Sequence, residues 1–215
     1  MLGRWSWNEA ITLLDAVIGK VFKRNRRNLS VAWIDYKKAF DSVPHTWLKR
    51  VLELYKVDCT VVDFLGQCMM QWSTLLCHLG ERMTAAENHI RMRRGIFQGD
   101  CLSTICFCLS LNPLSALLEG SGRGFQEGFQ GDLYYTDDLK LFASSRSLVL
   151  ELLNITCNFS SSIRMALGTD KCSILQVEKG GVAYSETIDL SMSINIRTLS
   201  EAETYRYLGM LHYWV

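Results

Sequence analysis

The stretch LYYTDDLKLFA, from Leu133 to Ala143, sets two adjacent carboxylates between two apolar runs that are typical of strands. Aspartates are common in hairpin turns, so a solvated turn is the ordinary interpretation of Asp137 and Asp138. The flanking apolar residues, however, would hold this turn at the edge of a sheet over a core. Two like charges repel each other there unless a cation lies between them. Carboxylate oxygens suit Mg²⁺ or Mn²⁺, so the pair is a candidate metal site.

A second apolar run, VAWID, also ends in an acid, Asp35. Two strand-end acids brought side by side in one sheet could clamp a pair of divalent ions. Such a pair stabilises both the attacking and the leaving oxygen of an in-line phosphoryl transfer. Asp41 lies close by but stands beside the run SVP, where a turn or helix-cap role is more typical. The residues alone therefore indicate Asp35, Asp137 and Asp138 as candidate ligands.

The bulk composition is that of a globular chain, with 48% hydrophobic and 21% charged residues among 215. This length allows one ordinary domain with a small appendage. The formal net charge of +1 neither demands nor excludes a polyanionic partner. Two basic clusters stand out, KVFKRNRRN (Lys20 to Asn28) and RMRR (Arg91 to Arg94), and such runs are more often solvated faces than binding sites.

The eight cysteines have no metal-like spacing, and those between Cys101 and Cys108 alternate with apolar residues, which favours buried free thiols. Polar residues near the start of the chain interrupt any secretory signal. The uncharged run Cys101 to Leu118 approaches the length of a membrane span, but its polar residues favour a buried helix. We expect an intracellular protein, nuclear or cytoplasmic and not secreted, with no membrane partner. The oligomeric state stays open.

The order of periodic segments predicts an α+β fold, in which helices pack on one face of a mostly antiparallel sheet. The predicted helices begin near Asn8, Pro44, Val61, Ser103 and Ser147. The predicted strands are Leu29–Asp35, the two arms of the Leu133–Ala143 hairpin, Cys172–Val177, Thr187–Ile194 and Tyr205–Leu211.

Five ordered blocks resemble the palm motifs of reverse transcriptases, most of all those of non-LTR (LINE-type, R2-like) retrotransposons. They are AWIDYKKAFDSVPHTWL, RRGIFQGDCLST with LNPLS, YYTDDLKLFA, MALGTDKCSILQV and YRYLGML. The resemblance covers about Asn28 to Leu211. It implies a palm with an RRM-like core over residues 29–178. A helix and basic run precede it in residues 1–28, and strands with a primer-grip-like block follow in residues 179–215.

The resemblance makes Asp35, Asp137 and Asp138 the ligands of two Mg²⁺ (or Mn²⁺) ions, the same acids that the residues alone indicate. It adds the backbone carbonyl of Tyr36 as a further ligand. Lys171 corresponds to the lysine that protonates the leaving pyrophosphate, a general-acid role. Without the resemblance, Lys171 is an unremarkable surface lysine.

The resemblance also assigns substrate contacts. Phe40 matches the bulky gate that excludes a ribose 2′-OH, although a core phenylalanine is the simpler interpretation. Arg94, with Arg93, is expected to meet phosphates. The remaining assignments are the nucleotide and template contacts Gln98, Gly99 and Asp100 (otherwise a loop before a helix) and the primer grip Tyr207, Leu208 and Gly209 (otherwise an edge strand).

The implied function is RNA-directed DNA polymerase acting on an RNA template, a DNA primer and dNTPs. Only about thirty residues precede the first acid, and nothing after Val215 supplies a thumb. We therefore expect a palm whose fingers and thumb are largely missing, with little activity alone. The alternative is a non-catalytic, retroelement-derived remnant that binds nucleic acid or a protein. An RRM-like RNA binder is a weaker third hypothesis, since no aromatic ribonucleoprotein signature is present.

Overall fold

The computed structural model describes most of the chain from residue 18 onward. The described residues are 18–75, 77–78, 81–82, 89–99, 101–124, 132–135, 138–183, 188–190, 194–200, 203, 205–207 and 210–212. The chain divides into two compact units. The first unit draws on Met1–Tyr36, Leu114–Ser160 and Leu167–Val215, and the second on Lys37–Pro113 and Ser161–Ala166. The division at residues 28/29 and 178/179 stays a prediction.

Helices and strands occur in groups along the chain. The helices are α1 (residues 18–24), α2 (Ala39–Ser42), α3 (His45–Leu54), α4 (Cys59–Gln71), α5 (Cys101–Gly120) and α6 (Arg146–Ser162). The strands are β1 (Leu29–Ile34), β2 (Ser73–Leu75), β3 (Cys77–His78), β4 (Glu81–Arg82), β5 (His89–Arg91), β6 (Asp132–Tyr135), β7 (Asp138–Ala143), β8 (Ser173–Glu178), β9 (Gly181–Val182), β10 (Ile188–Leu190), β11 (Ile194–Thr198), β12 (Tyr205–Tyr207) and β13 (Met210–His212).

The first unit is built on a seven-stranded sheet with the strand order β10-β11-β8-β1-β7-β6, in which β9 pairs with β8. Its pairings are antiparallel except for the parallel pair β11 and β8. The predicted hairpin is present as β6 and β7. The mixed helix and mostly antiparallel sheet architecture predicted from the sequence is therefore confirmed.

Strand β1 lies at the centre of this sheet, and all six of its residues are buried. A nearly continuous apolar run such as LSVAWI is typical of a strand covered on both faces. One face joins α1 and the chain's C-terminal part in a hydrophobic cluster. A slip of one residue would exchange the two faces, so this burial fixes the register with β7, in which Ile34 pairs with Leu139. The cluster contains Ile18, Phe22, Leu29, Val31, Trp33, Phe142, Leu175, Val177, Leu199 and Tyr205.

In the second unit, the chain after α2 runs beside the segment that leads into α5. The Gly95 N–H donates to the Val43 carbonyl (2.8 Å), and the Ile96 N–H donates to the Phe40 carbonyl (2.9 Å). Gly95 has a φ of +89°, and a Cβ there would lie 2.9 Å from the Asp41 carbonyl oxygen. Only glycine fits both requirements, so Gly95 sets how closely these two segments approach.

Two predicted strands are instead hairpins. Thr187–Ile194 contains β10 and the start of β11, which pair antiparallel, and Tyr205–Leu211 contains β12 and the start of β13, which also pair antiparallel. The stretch Thr187–Ile194 alternates like a single strand, so periodicity alone did not show its reversal.

Helix α3 begins at His45, directly after Pro44, near the predicted position. Ser42 ends α2, and its hydroxyl donates to the Ala39 carbonyl (2.9 Å). Ser103 lies inside α5 rather than before it. Among the described residues, α5 is the one helix long and apolar enough to cross a membrane, a test that buried core helices also pass. Its residues Phe107 and Leu114 are fully buried.

Candidate active site

The carboxylates of Asp35 and Asp138 are brought to the same end of the central strand pair. Asp35 directly follows β1, and Asp138 is the first residue of β7. Ile34 is the last β1 residue paired with β7 and lies opposite Leu139, so Asp35 and Asp138 directly adjoin this end of the ladder. Two of the three predicted acids therefore lie at the same end of the central strand pair.

The pKa of the Tyr205 phenol also indicates that Asp35 and Asp138 lie close to one another. Burial raises the pKa of its phenol most, followed by the electrostatic effect of the neighbouring Cys172. The carboxylates of Asp138 and Asp35 raise the same pKa further. Both acids are therefore within electrostatic reach of one hydroxyl group. That hydroxyl donates to the backbone carbonyl of Lys171 (2.6 Å), which ties β12 to the site.

The predicted general acid also lies at this site. Lys171 Nζ is 3.3 Å from Asp35 Oδ2, although 136 residues separate the two in sequence. The Asp35 side chain is 17% exposed and the Lys171 side chain 66%. A pair this open to solvent adds little stability, at most about 1 kcal/mol. Its significance is positional, since it brings the lysine to the acids.

Gly168 approaches Asp35 closely and leaves room for its carboxylate. Its N–H donates to the Asp35 backbone carbonyl (2.8 Å), and its own carbonyl accepts from the Lys171 N–H (2.8 Å). A Cβ on residue 168 would lie 2.7 Å from Asp35 Oδ2, a distance that real Cβ atoms essentially never show. Any side chain at this position would therefore displace the carboxylate. The sequence alone does not indicate this residue, because nothing local marks a glycine that is needed for a distant contact.

The side chain of Tyr36 is directed into the core. Its hydroxyl lies 2.9 Å from Ser160 Oγ on α6, and burial raises the pKa of the phenol to about 12. The buried Cys172 Sγ donates a weak hydrogen bond to the Asp35 carbonyl (3.9 Å), and burial raises its pKa to about 11. Both groups stay neutral at physiological pH. They support the end of β1, directly beside Asp35.

The donor set of the site fits a hard divalent cation. Asp35 and Asp138 supply carboxylate oxygens, the ligands that Mg²⁺ and Mn²⁺ prefer. The third predicted ligand, Asp137, lies outside the described residues. In the part of the chain that the structure describes, no group of three or more His, Cys, Asp or Glu side chains could hold a metal ion.

The second unit carries the other predicted substrate contacts. Phe40 is half-buried, and its ring stacks on Phe107 at 4.8 Å between centroids. Gln98 and Gly99 are exposed in a turn before α5. Gly99 has a φ of +98°, and nothing lies within 4 Å of where its Cβ would be. The glycine is therefore required by its backbone conformation and leaves open space beside it.

The remaining predicted residues are only partly placed. Asp100, Leu208 and Gly209 lie outside the described residues, as does Asp137. Tyr207 belongs to β12 and pairs with Met210 in β13.

Comparison with known proteins gives the family. The family described as reverse transcriptase (RNA-dependent DNA polymerase) matches residues 9–212. The chain belongs to the reverse transcriptase family. This family copies RNA templates into DNA and depends on divalent metal ions. The prediction from the sequence motifs is thus confirmed.

The curated relatives are polyproteins of R2 retrotransposable elements. The chain is 28% identical over 205 residues to the Pol polyprotein of R2DM from Drosophila melanogaster, covering 93% of this chain and 19% of that protein. It is 29% identical over 203 residues to the Pol polyprotein of an R2 element from Popillia japonica, covering 92% and 28% respectively. This reverse transcriptase chain thus spans about a fifth to a third of the length of these relatives.

Solved telomerase structures share the fold. Apo telomerase from Candida tropicalis, truncated from its C-terminal domain, superimposes with a TM-score of 0.61 at 15% identity, covering 85% of this chain and 37% of that one. Telomerase from Candida albicans in complex with a TWJ fragment of telomeric RNA gives a TM-score of 0.56 at 14% identity. The match covers 86% of this chain and 32% of the telomerase chain. The likeness supports a reverse transcriptase palm-like fold.

Proposed function

We propose that this chain is the palm of an RNA-directed DNA polymerase, which extends the 3′ end of a DNA primer on an RNA template with dNTPs. The observation that carries the proposal is that Asp35 and Asp138 both adjoin the last pair of the central ladder, Ile34 and Leu139. Lys171, 3.3 Å from Asp35, supplies a proton donor beside them. The reaction needs these parts, namely carboxylates for metal ions and an acid for the leaving group.

Asp35, Asp137 and Asp138 would hold two Mg²⁺ (or Mn²⁺) ions, with the backbone carbonyl of Tyr36 as a further ligand. When bound, these ions activate the primer hydroxyl and neutralise charge on the triphosphate. The chain's part is to fix the oxygen donors before the substrates arrive. The fully buried β1 and the close approach of Gly168 do this for Asp35.

Lys171 acts on the leaving group in this proposal. The primer 3′ hydroxyl gives its proton to solvent as its oxygen bonds to the α-phosphorus. The bond from that phosphorus to the bridging oxygen breaks, and pyrophosphate leaves. Lys171 Nζ gives a proton to this pyrophosphate and is later reprotonated from solvent, to which its side chain is largely exposed. The neighbouring Asp35 carboxylate, 3.3 Å away, keeps the amine beside the proposed metal ligands.

The substrate contacts follow the family motif. Phe40 would exclude a ribose 2′-OH, and its stacking on Phe107 keeps the ring in a fixed position. Gln98, Gly99 and Asp100 would contact the incoming nucleotide and template, and the exposure of Gln98 and Gly99 is compatible with this. Arg94 would meet phosphates, and Tyr207, Leu208 and Gly209 would hold the primer end.

The test is primer extension on an RNA template with Mg²⁺ or Mn²⁺, comparing the wild type with Asp137→Asn and Asp35→Asn. Asp41→Asn is the matched control, because it removes a nearby carboxylate that does not belong to the proposed site. We expect weak extension that both site variants abolish and the control retains. Extension that survives in Asp137→Asn overturns the site assignment. RNA binding with no extension by the wild type supports the alternative, a non-catalytic nucleic-acid-binding module.

A further inference from the structure

Four arginines line one open groove of the second unit. Arg50, Arg93, Arg94 and Arg164 surround a cavity of about 700 Å³ together with the half-buried Trp47, and none of the described residues that line it is acidic. The four come from three separate segments of the chain. Arg93 and Arg94 belong to a basic run visible in the sequence, whereas nothing local marks Arg50 or Arg164. We refer to this cavity as the arginine groove.

The fold fixes the positions of these arginines. Arg50 lies on α3, which begins directly after Pro44, and Pro44 forms an isolated β-bridge with Arg94. The Arg94 Nη2 donates to the Arg164 carbonyl (2.9 Å). Arg164 follows α6 in the left-handed conformation, with a φ of +57°. The hydrogen bond and the bridge thus hold α3, the segment before α5 and the end of α6 around one groove.

The charges in the groove are largely uncompensated. Arg50 pairs with Glu53 at 3.2 Å, and both side chains are largely exposed. Arg93 has neither a hydrogen bond nor an ion pair with any residue that the structure describes, and the hydrogen bond of Arg94 is to a neutral carbonyl. Guanidinium groups brought together repel one another, and an anion bound between them relieves the repulsion. The groove is therefore suited to a ligand with several negative charges.

We propose that the arginine groove binds the phosphate backbone of single-stranded RNA. A guanidinium group can donate two parallel hydrogen bonds to one phosphate. Several such groups along an open groove can bind successive phosphates of one strand. The cavity is in the size range of sites for whole ligands and exceeds what one phosphate needs. The choice of RNA rests on the proposed function, while neither Asp35 nor Asp138 is among the described residues that line the groove.

The test is the salt dependence of RNA binding by the full chain. Fluorescence anisotropy of a labelled oligo(U) strand compares the wild type with the triple variant Arg50→Gln, Arg93→Gln, Arg164→Gln. Arg94 is kept because its hydrogen bond holds the groove together. Each lost phosphate contact lowers the slope of log affinity against log salt by about 0.7 for single strands. We expect the slope to fall by about 2, with an affinity loss on the order of tenfold or more at about 0.1 M salt.

The matched control is Lys56→Gln, Arg123→Gln, Arg146→Gln, which removes the same charge from positions outside the groove. We expect its RNA affinity to stay within about twofold of the wild type and its slope to be unchanged. An equal loss in both triple variants would mean that only net charge matters and would overturn the proposal. Thermal unfolding of each variant shows whether it is folded. If the groove variant is not folded, the single variant Arg93→Gln replaces it in the binding test. Its slope of log affinity against log salt is expected to change by about 0.7.

Inorganic tripolyphosphate distinguishes a strand from a small phosphate compound. If it binds the wild type but not the groove variant while RNA affinity is the same for both, the groove is a site for free polyphosphate and the proposal is wrong. Failure of the proposed function is separable, because binding needs no catalysis. We expect Asp137→Asn to bind RNA like the wild type, whether or not either protein extends a primer.

Discussion

Replacing Gly168 by alanine tests how the Asp35 carboxylate is positioned. The new Cβ would lie 2.7 Å from Asp35 Oδ2, whereas ordinary contact begins at 3.4 Å. The carboxylate must therefore move by about 0.7 Å, since the other nearby atoms are farther away. The moving atom is the end of a flexible side chain, so the expected loss of folding stability is below about 1 kcal/mol.

The expected loss of function is much larger than the loss of stability. A displacement of about 1 Å in a reacting group lowers a rate on the order of 100-fold. For a shift of about 0.7 Å we expect kcat to fall by about 10- to 100-fold, which is roughly 1.4 to 2.8 kcal/mol. Because Asp35 is a proposed metal ligand, the affinity for Mn²⁺ should fall by on the order of tenfold as well.

The assay is a Mn²⁺ titration of the chain, with free Mn²⁺ measured by electron paramagnetic resonance, followed by primer extension in the same buffer. Gly66→Ala is the control, because Gly66 lies within α4 and nothing is within 4 Å of where its Cβ would be. Its Mn²⁺ affinity should equal that of the wild type. A Gly168→Ala variant that is folded and binds Mn²⁺ like the wild type would refute the positioning role.

Three further predictions concern stability and the general acid. Tyr36→Phe should lose about 1 kcal/mol below pH 10 by removing the buried hydrogen bond to Ser160. Folding raises the pKa of the Tyr36 phenol from 10.0 to about 12. The stability that this shift contributes to the folded protein is therefore complete below pH 10 and is lost as pH rises through 12. The free energy of unfolding falls in this range by no more than about 1.4 kcal/mol per pH unit. Urea unfolding from pH 9 to about 11 should therefore show a shallower decline for Tyr36→Phe than for the wild type. Gly95→Ala should destabilise by on the order of 2 kcal/mol in the same assay, because it combines a φ of +89° with a 2.9 Å clash against backbone. Lys171→Gln should lower kcat by about 100-fold and flatten the alkaline limb of its pH profile, while changing stability by less than about 1 kcal/mol.

Each of these predictions has a result that contradicts it. Parallel pH curves for the wild type and Tyr36→Phe would mean that the phenol ionises equally in both states. A Gly95→Ala protein as stable as Gly66→Ala would show that the two segments of the second unit adjust freely. A Lys171→Gln enzyme with an unchanged pH profile would remove the general-acid role.

The common position of Asp35 and Asp138 at one end of the sheet could be predicted from sequence because local signals mark both acids, whereas their role as metal ligands stays a prediction. Asp35 and Asp138 each stand at the end of an apolar run, and a sheet brings strand ends together. The prediction of one strand over Thr187–Ile194 was wrong because the alternation continues across the reversal, with no Gly, Pro or Asn-Gly to mark a turn. Alternation of polar and apolar residues cannot distinguish one long strand from two short strands joined by a tight turn.

The supporting contacts could not be predicted, because they join residues that are distant in sequence. Gly168 is needed for a carboxylate 133 positions earlier, and its backbone conformation is not one that only glycine adopts. Tyr205 reaches the Lys171 carbonyl across 34 residues. Such contacts follow from tertiary packing, and a single sequence contains no local signal for them.

The proposed catalysis depends on Asp35 and Asp138 sharing one divalent metal site, and Mn²⁺ affinity reports on this sharing without any need for turnover. Isothermal titration calorimetry of the wild type, Asp35→Asn, Asp138→Asn and the double variant forms a double-mutant cycle, with Asp41→Asn as the control. We expect each single substitution to weaken Mn²⁺ binding by on the order of tenfold or more, and the two effects to be non-additive. Mn²⁺ binding that neither substitution alters, or that Asp41→Asn alters equally, would contradict a shared site.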